Sequence, residues 1–94
     1  MIHELKTLPH FFEDVLRGDK QFECRNDDRG FRIGDELLLR EHDPKESCDG
    51  DCRTGCNGEH GYTGRILHRK VIYVLRGEWI GIKQGYCVMG LANL

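Results

Sequence analysis

Thr7-Leu8-Pro9-His10-Phe11-Phe12-Glu13-Asp14-Val15-Leu16-Arg17-Gly18-Asp19-Lys20-Gln21-Phe22-Glu23-Cys24-Arg25 reads as one helix handed directly to one strand. Thr7 has the chemistry of an N-cap, and Pro9 falls in the first turn, where its missing N–H costs nothing. Phe11, Phe12, Val15 and Leu16 repeat at helical spacing and make one apolar stripe. Gly18 ends the helix, because glycine adopts left-handed backbone at little cost. If residues 21–25 then form a strand, side chains alternate, so Gln21, Glu23 and Arg25 share a face. The run Gly18-x-Lys20-x-x-Glu23-x-Arg25 thus gathers a lysine, a carboxylate and an arginine where helix meets strand. Such a patch of fixed charge is suited to a polar ligand.

Outward from this stretch, residues 2–6 form a short first strand, and Asn26-Asp27-Asp28-Arg29-Gly30 is a turn by composition. Gly34-Asp35 marks a second turn. Leu37, Leu38 and Leu39 follow as a strand apolar enough to be covered on both faces. Ile66 to Leu75 is rich in branched residues and reads as a long strand, and Tyr86 to Leu91 as the last one. Gly77, Gly81 and Gly85 punctuate the loop between them, around Trp79 and Ile82. About five strands and one helix, not alternating, predict an α+β domain or small mixed β-barrel rather than a parallel βαβ fold.

Ninety-four residues make a single domain, 1–94, with one modest core. A hydrophobic fraction of 38% and a charged fraction of 32% suit a globular chain rather than a disordered one. No apolar run approaches the roughly 18–20 residues that span a bilayer. The amino terminus lacks the basic-then-apolar pattern of a secretory signal, so a cytoplasmic location and no membrane partner are expected. The net charge of −2 argues against wholesale electrostatic binding of nucleic acid. That figure conceals a split: residues 41–60 carry six acids against two bases, while the remainder carries ten acids against twelve bases. The body is mildly basic, which permits a local phosphate-contacting face.

Residues 42–61 form a Cys-rich loop without a single Val, Ile, Leu, Met, Phe, Tyr or Trp. Apolar burial cannot order such a segment. Within it Cys48, Cys52, Cys56 and His60 recur at every fourth position, and three thiolates with one imidazole are a closed ligand set for structural zinc. One zinc per chain would supply the ordering that a core cannot. A reduced disordered loop and an oxidised crosslink are the alternatives, and His42 is a substitute ligand. Cys24 and Cys87 fall within strands and read as buried small hydrophobes. Trp79 and Tyr86 read as core, with stacking on a base as the alternative. Arg65, His68, Arg69 and Lys70 form a basic stretch, a solvated face or else a phosphate-contacting edge.

Taken with the helix, the Gly18-x-Lys20-x-x-Glu23-x-Arg25 run, Phe31-x-x-Gly34-Asp35, Tyr62-Thr63-Gly64-Arg65 and the Gly85-Tyr86-x-Val88-x-Gly90 ending, the chain resembles an ASCH domain of the PUA-like superfamily. More narrowly, it resembles a compact, mostly prokaryotic and phage-borne subfamily without an assigned function. The resemblance spans residues 2–92 apart from the Cys-rich loop, which looks like an insertion. It implies a PUA-like pseudo-barrel with a cleft lined by Lys20, Glu23 and Arg25. Superfamily relatives bind RNA, so the resemblance implies an RNA or nucleotide-like ligand there. One small ASCH enzyme hydrolyses the acetyl amide of N4-acetylcytidine, and Lys20 matches its catalytic lysine. Its nucleophilic threonine falls at position 23, which is Glu23 here, and its catalytic glutamate has no counterpart in this chain. An amidohydrolase using Lys20 and Glu23 is therefore the alternative. A protein-interaction module working through a zinc-held loop is a third.

Overall fold

The computed structural model describes residues 1–43 and 61–94. Among them the elements run β1 (Ile2–Thr7), α1 (Pro9–Leu16), β2 (Phe22–Asn26), β3 (Glu36–His42), β4 (Tyr62–Leu75), a single 3-10 turn (Glu78–Ile80) and β5 (Tyr86–Asn93). The strands make one sheet in the order β1-β3-β4-β5-β2. β1 and β3 are parallel, and the other three pairings are antiparallel. This is the mixed α+β architecture expected, as a curled half-barrel with β1 and β2 as its two edges.

Alternation explains which side of the curl is filled. His3, Leu5 and Thr7 of β1 lie in register with Leu37, Leu39 and Glu41 of β3, and all six are buried. Cys87, Met89 and Leu91 repeat the pattern on β5. A register shift between Val71 and Tyr73 turns both Val71 and Val74 inward, opposite Leu91 and Met89. Val15 of α1 and Phe31 from the β2–β3 connection complete the core. Truncating a fully buried leucine such as Leu37 or Leu39 costs about 2–5 kcal/mol in sites of this kind.

Helix α1 fills the concavity rather than extending the sheet. Phe12 and Val15 are buried, while Phe11 and Leu16 stay more than two-fifths exposed. The stripe read from the sequence is therefore half the expected width. Adjacent residues on a helix stand about 100° apart, and here Phe12 turns fully to the core while Phe11 stays at its margin. The N-cap is Leu8, with no side-chain cap bond, and not Thr7. Thr7 is the last residue of β1, where pairing beside Glu41 claims its backbone. Gly18 does close the helix at φ +85°, with its N–H on the Val15 carbonyl.

Two further expectations are corrected. Cys24 is exposed, because the alternation that buries Glu23 turns its neighbour outward. Trp79 is 85% exposed on its 3-10 turn rather than core. Cys87 is buried as expected, and burial, with a contribution from Asp27, pushes its thiol pKa up.

Candidate functional site

The two edge strands meet across the gap in the half-barrel through one side chain. Arg25 of β2 donates from Nη2 to the Lys6 carbonyl of β1 at 2.9 Å and to the Thr7 hydroxyl at 3.3 Å. Its Nε donates to Glu23 Oε2 at 2.9 Å, while Lys20 Nζ donates to Glu23 Oε1 at 2.7 Å. Glu23 thus stands between two cations, with its side chain only 4% exposed. The triad expected from the sequence is assembled, and it is buried more deeply than a solvated surface ion pair. Strand parity puts Glu23 and Arg25 on one face, and Lys20 leans in from the turn, held by its N–H on the Asp14 carbonyl.

Both carboxylate oxygens of Glu23 are already engaged. Its first role is therefore to fix Lys20 and Arg25, and the triad carries one net positive charge. Along this seam runs a groove of about 690 Å3. Its walls are the end of β1 with Leu8, the α1 side chains of Phe11 and Asp14, Asp19 and Lys20 from the turn, and residues 22–25 of β2. Phe11 and Phe22 are 41% and 48% exposed, and the Lys20 ammonium lies 5.4 and 5.1 Å from their ring centroids. A cation flanked by two accessible phenyl faces can neutralise an anion while the rings offer flat apolar surface.

Sequence reasoning missed those rings. In the sequence Phe11 belongs to the apolar helix stripe, and Phe22 lies within the 21–25 strand. The parity that buries Glu23 was a sufficient signal for an outward Phe22. A second charged cluster was also missed. Buried Glu41 accepts from the Thr63 hydroxyl at 2.7 Å and lies 3.5 Å from Arg65 Nε. Arg65 also reaches Glu13 of α1 at 2.6 Å and covers the Phe12 ring at 4.7 Å. This cluster ties α1 to β3 and β4. It joins residues 52 apart in sequence, which no local pattern announces.

The expected metal ligands Cys48, Cys52, Cys56 and His60 lie outside the described residues. Among the described residues no group of three or more His, Cys, Asp or Glu side chains is placed to hold a metal. His42, the substitute ligand, sits edge-on to Tyr62 with ring centroids 5.0 Å apart. Among the described residues no helix is long and apolar enough to cross a membrane.

Residues 2–91 match the family described as a domain of unknown function, DUF3850. The chain belongs to this family. A DUF3850 match over almost the whole described sheet places the half-barrel and its groove within the shared domain. The chain is also 45% identical over 40 residues to the "Uncharacterized 12.9 kDa protein in GpA 3'region" of Escherichia phage P2. That alignment covers 43% of this chain and 37% of the phage protein, so the chain matches little over a third of that relative's length.

Proposed function

We propose that this DUF3850 protein binds single-stranded RNA or a nucleotide-like ligand in the groove at Lys20, Glu23 and Arg25, on a fold of the ASCH and PUA-like kind. The observation that carries this reading is the Lys20 ammonium held between two exposed phenylalanine rings and a buried carboxylate. A base stacks on Phe11 or Phe22, as bases do on aromatic platforms, and the phosphate meets the charges of Lys20 and Arg25. Glu23 pre-orients both cations, so little side-chain freedom is lost on binding. The PUA-like assignment is supported by the five-strand curl, by the helix filling its concavity and by the motif lining the open seam.

The test is fluorescence anisotropy with a short labelled RNA. Arg25→Ala is expected to weaken binding about 10-fold, the usual loss for one charge-assisted contact. Unchanged affinity in that variant removes the groove from the reading.

Hydrolysis of an acyl amide on a modified nucleoside is a second reading, favoured by one observation: the Thr7 hydroxyl lines the groove that holds Lys20. It requires conversion of N4-acetylcytidine to cytidine by the wild-type protein and loss of turnover in Lys20→Ala. No turnover by wild type eliminates it.

A further inference from the structure

The basic stretch of β4 is divided by strand parity. Arg65, Leu67 and Arg69 face the concave side, and Ile66, His68 and Lys70 face away. Arg65 is neutralised by Glu13 and Glu41, and His68 lies 3.3 Å from Glu36. Arg69 is different. It is half-buried, its Nη1 donates to the His68 carbonyl at 3.0 Å, and no carboxylate pairs with it among the described residues. A partly desolvated guanidinium without a counter-charge is uncommon, because an opposite charge would offset its desolvation.

Arg69 lines a second cavity of about 320 Å3, walled by Lys20, Gln21, Gly18 and Asn93 among others. Two cationic residues and two residues with side-chain amides line this space, and among the described residues no Asp or Glu does. The first groove, in contrast, sets Asp14, Asp19 and Glu23 against Lys6, Lys20 and Arg25. At the end of α1 the carbonyls of Glu13, Asp14 and Val15 accept the N–H groups of Arg17, Lys20 and Gly18. Antiparallel pairing sets Arg69 opposite Asn93, which brings an amide donor beside the guanidinium fork.

We propose that this cavity is a phosphate site, with Arg69 as the bidentate ligand and Asn93 as the flanking donor. The guanidinium fork matches two phosphate oxygens, and the volume exceeds that of a bare ion, so an ester fits. Lys20 lines both cavities, which makes it the wall between this site and the groove. The phosphate is therefore either a free ion or the phosphate of the nucleotide bound next door, and only the latter source rests on the function proposed above.

The experiment is a set of heteronuclear NMR titrations of the full chain with inorganic phosphate, cytidine and cytidine 5′-monophosphate, including the arginine Nε–H signals. Saturable shifts at Gly18, Arg69 and Asn93 are expected with phosphate and the nucleotide, but not with cytidine. Arg69→Gln is expected to weaken the phosphate-induced response about 10-fold. That substitution removes a single described hydrogen bond, and a dispersed spectrum verifies folding. Tighter binding of the nucleotide than of phosphate identifies the ester as the source, and equal binding identifies the free ion. No saturable response at Arg69 and Asn93, or one unaltered in Arg69→Gln, overturns the site. Absent cytidine shifts at Phe11 and Phe22 with the Arg69 response intact would instead remove the groove reading alone.

Discussion

At the scale of single residues, two acidic side chains organise opposite ends of the sheet. Glu23 satisfies two cations at once from a buried position, so removing it strands both. Glu23→Ala is expected to cost about 2 kcal/mol, below the usual loss for a fully buried pair because Arg25 keeps partial access to water. A lowered urea midpoint at unchanged slope checks this, and an unchanged midpoint contradicts it. Asp35 works at the other end, where His3 Nε2 donates to it at 2.9 Å and the Arg32 N–H at 3.1 Å, with the amino terminus nearby. Burial alone would push its carboxyl up. The bonds from His3, from Arg32 and from the amino terminus outweigh that and hold it below the usual range. Asp27 is lowered chiefly by its bond from Arg76, against opposing desolvation. Both carboxyls have folded pKa values below their unfolded ones, so their contribution is full above about pH 4 and is lost as pH falls through the folded values. Melting temperature should therefore drop steeply below about pH 4 in the wild type and less steeply in Asp35→Asn. Parallel acid limbs in the two proteins would refute the assignment.

Among the elements, β3 and β4 are tied together just beyond the end of one and before the start of the other. The Asp43 N–H donates to the Gly61 carbonyl at 2.8 Å, which pins together the two strand ends that flank residues 44–60. Gly61 has φ +85°, and a Cβ there would approach His42 Nε2 to 2.6 Å. Gly61→Ala thus meets both a left-handed backbone and a collision, and a loss of about 1–3 kcal/mol is expected by chemical denaturation. The spacing of Cys48, Cys52, Cys56 and His60 carries a separate prediction: about one zinc per chain by native mass spectrometry. Chelation should then perturb the amide signals of His42 and Gly61, and metal-free protein with unaltered signals on zinc addition would reject it. The order of strands and helix was legible because each depends on local period and turn chemistry. The triad was legible for the same reason, since Glu23 and Arg25 share parity within one strand. What pairs with what was not. The parallel pairing of β1 with β3, the Arg65 bridge and the free inward face at Arg69 come from long-range packing. Thr7 shows the competition directly: its cap chemistry was outweighed by a place beside Glu41 in the sheet.

For the whole molecule the question is how charge is distributed rather than how much there is. The chain is net negative, and all of the excess acid lies in residues 41–60. Two edge strands and a helix nonetheless gather Lys6, Lys20 and Arg25 along one seam. With Glu23 counted, the triad keeps one net positive charge. A ligand bound through that seam therefore neutralises about one phosphate, and log affinity for single-stranded RNA should fall with log salt at a slope of about −0.7. Arg25→Ala should reduce the slope by about 0.7, because one counterion fewer is released. Substitution of Lys70, which faces the opposite side of the sheet, should leave it unaltered. A slope near zero would mean that no phosphate is engaged. A slope several units steeper, or one sensitive to Lys70, would mean that RNA spreads over the outer face, and the seam would then be a structural clasp between β1 and β2 rather than a binding site.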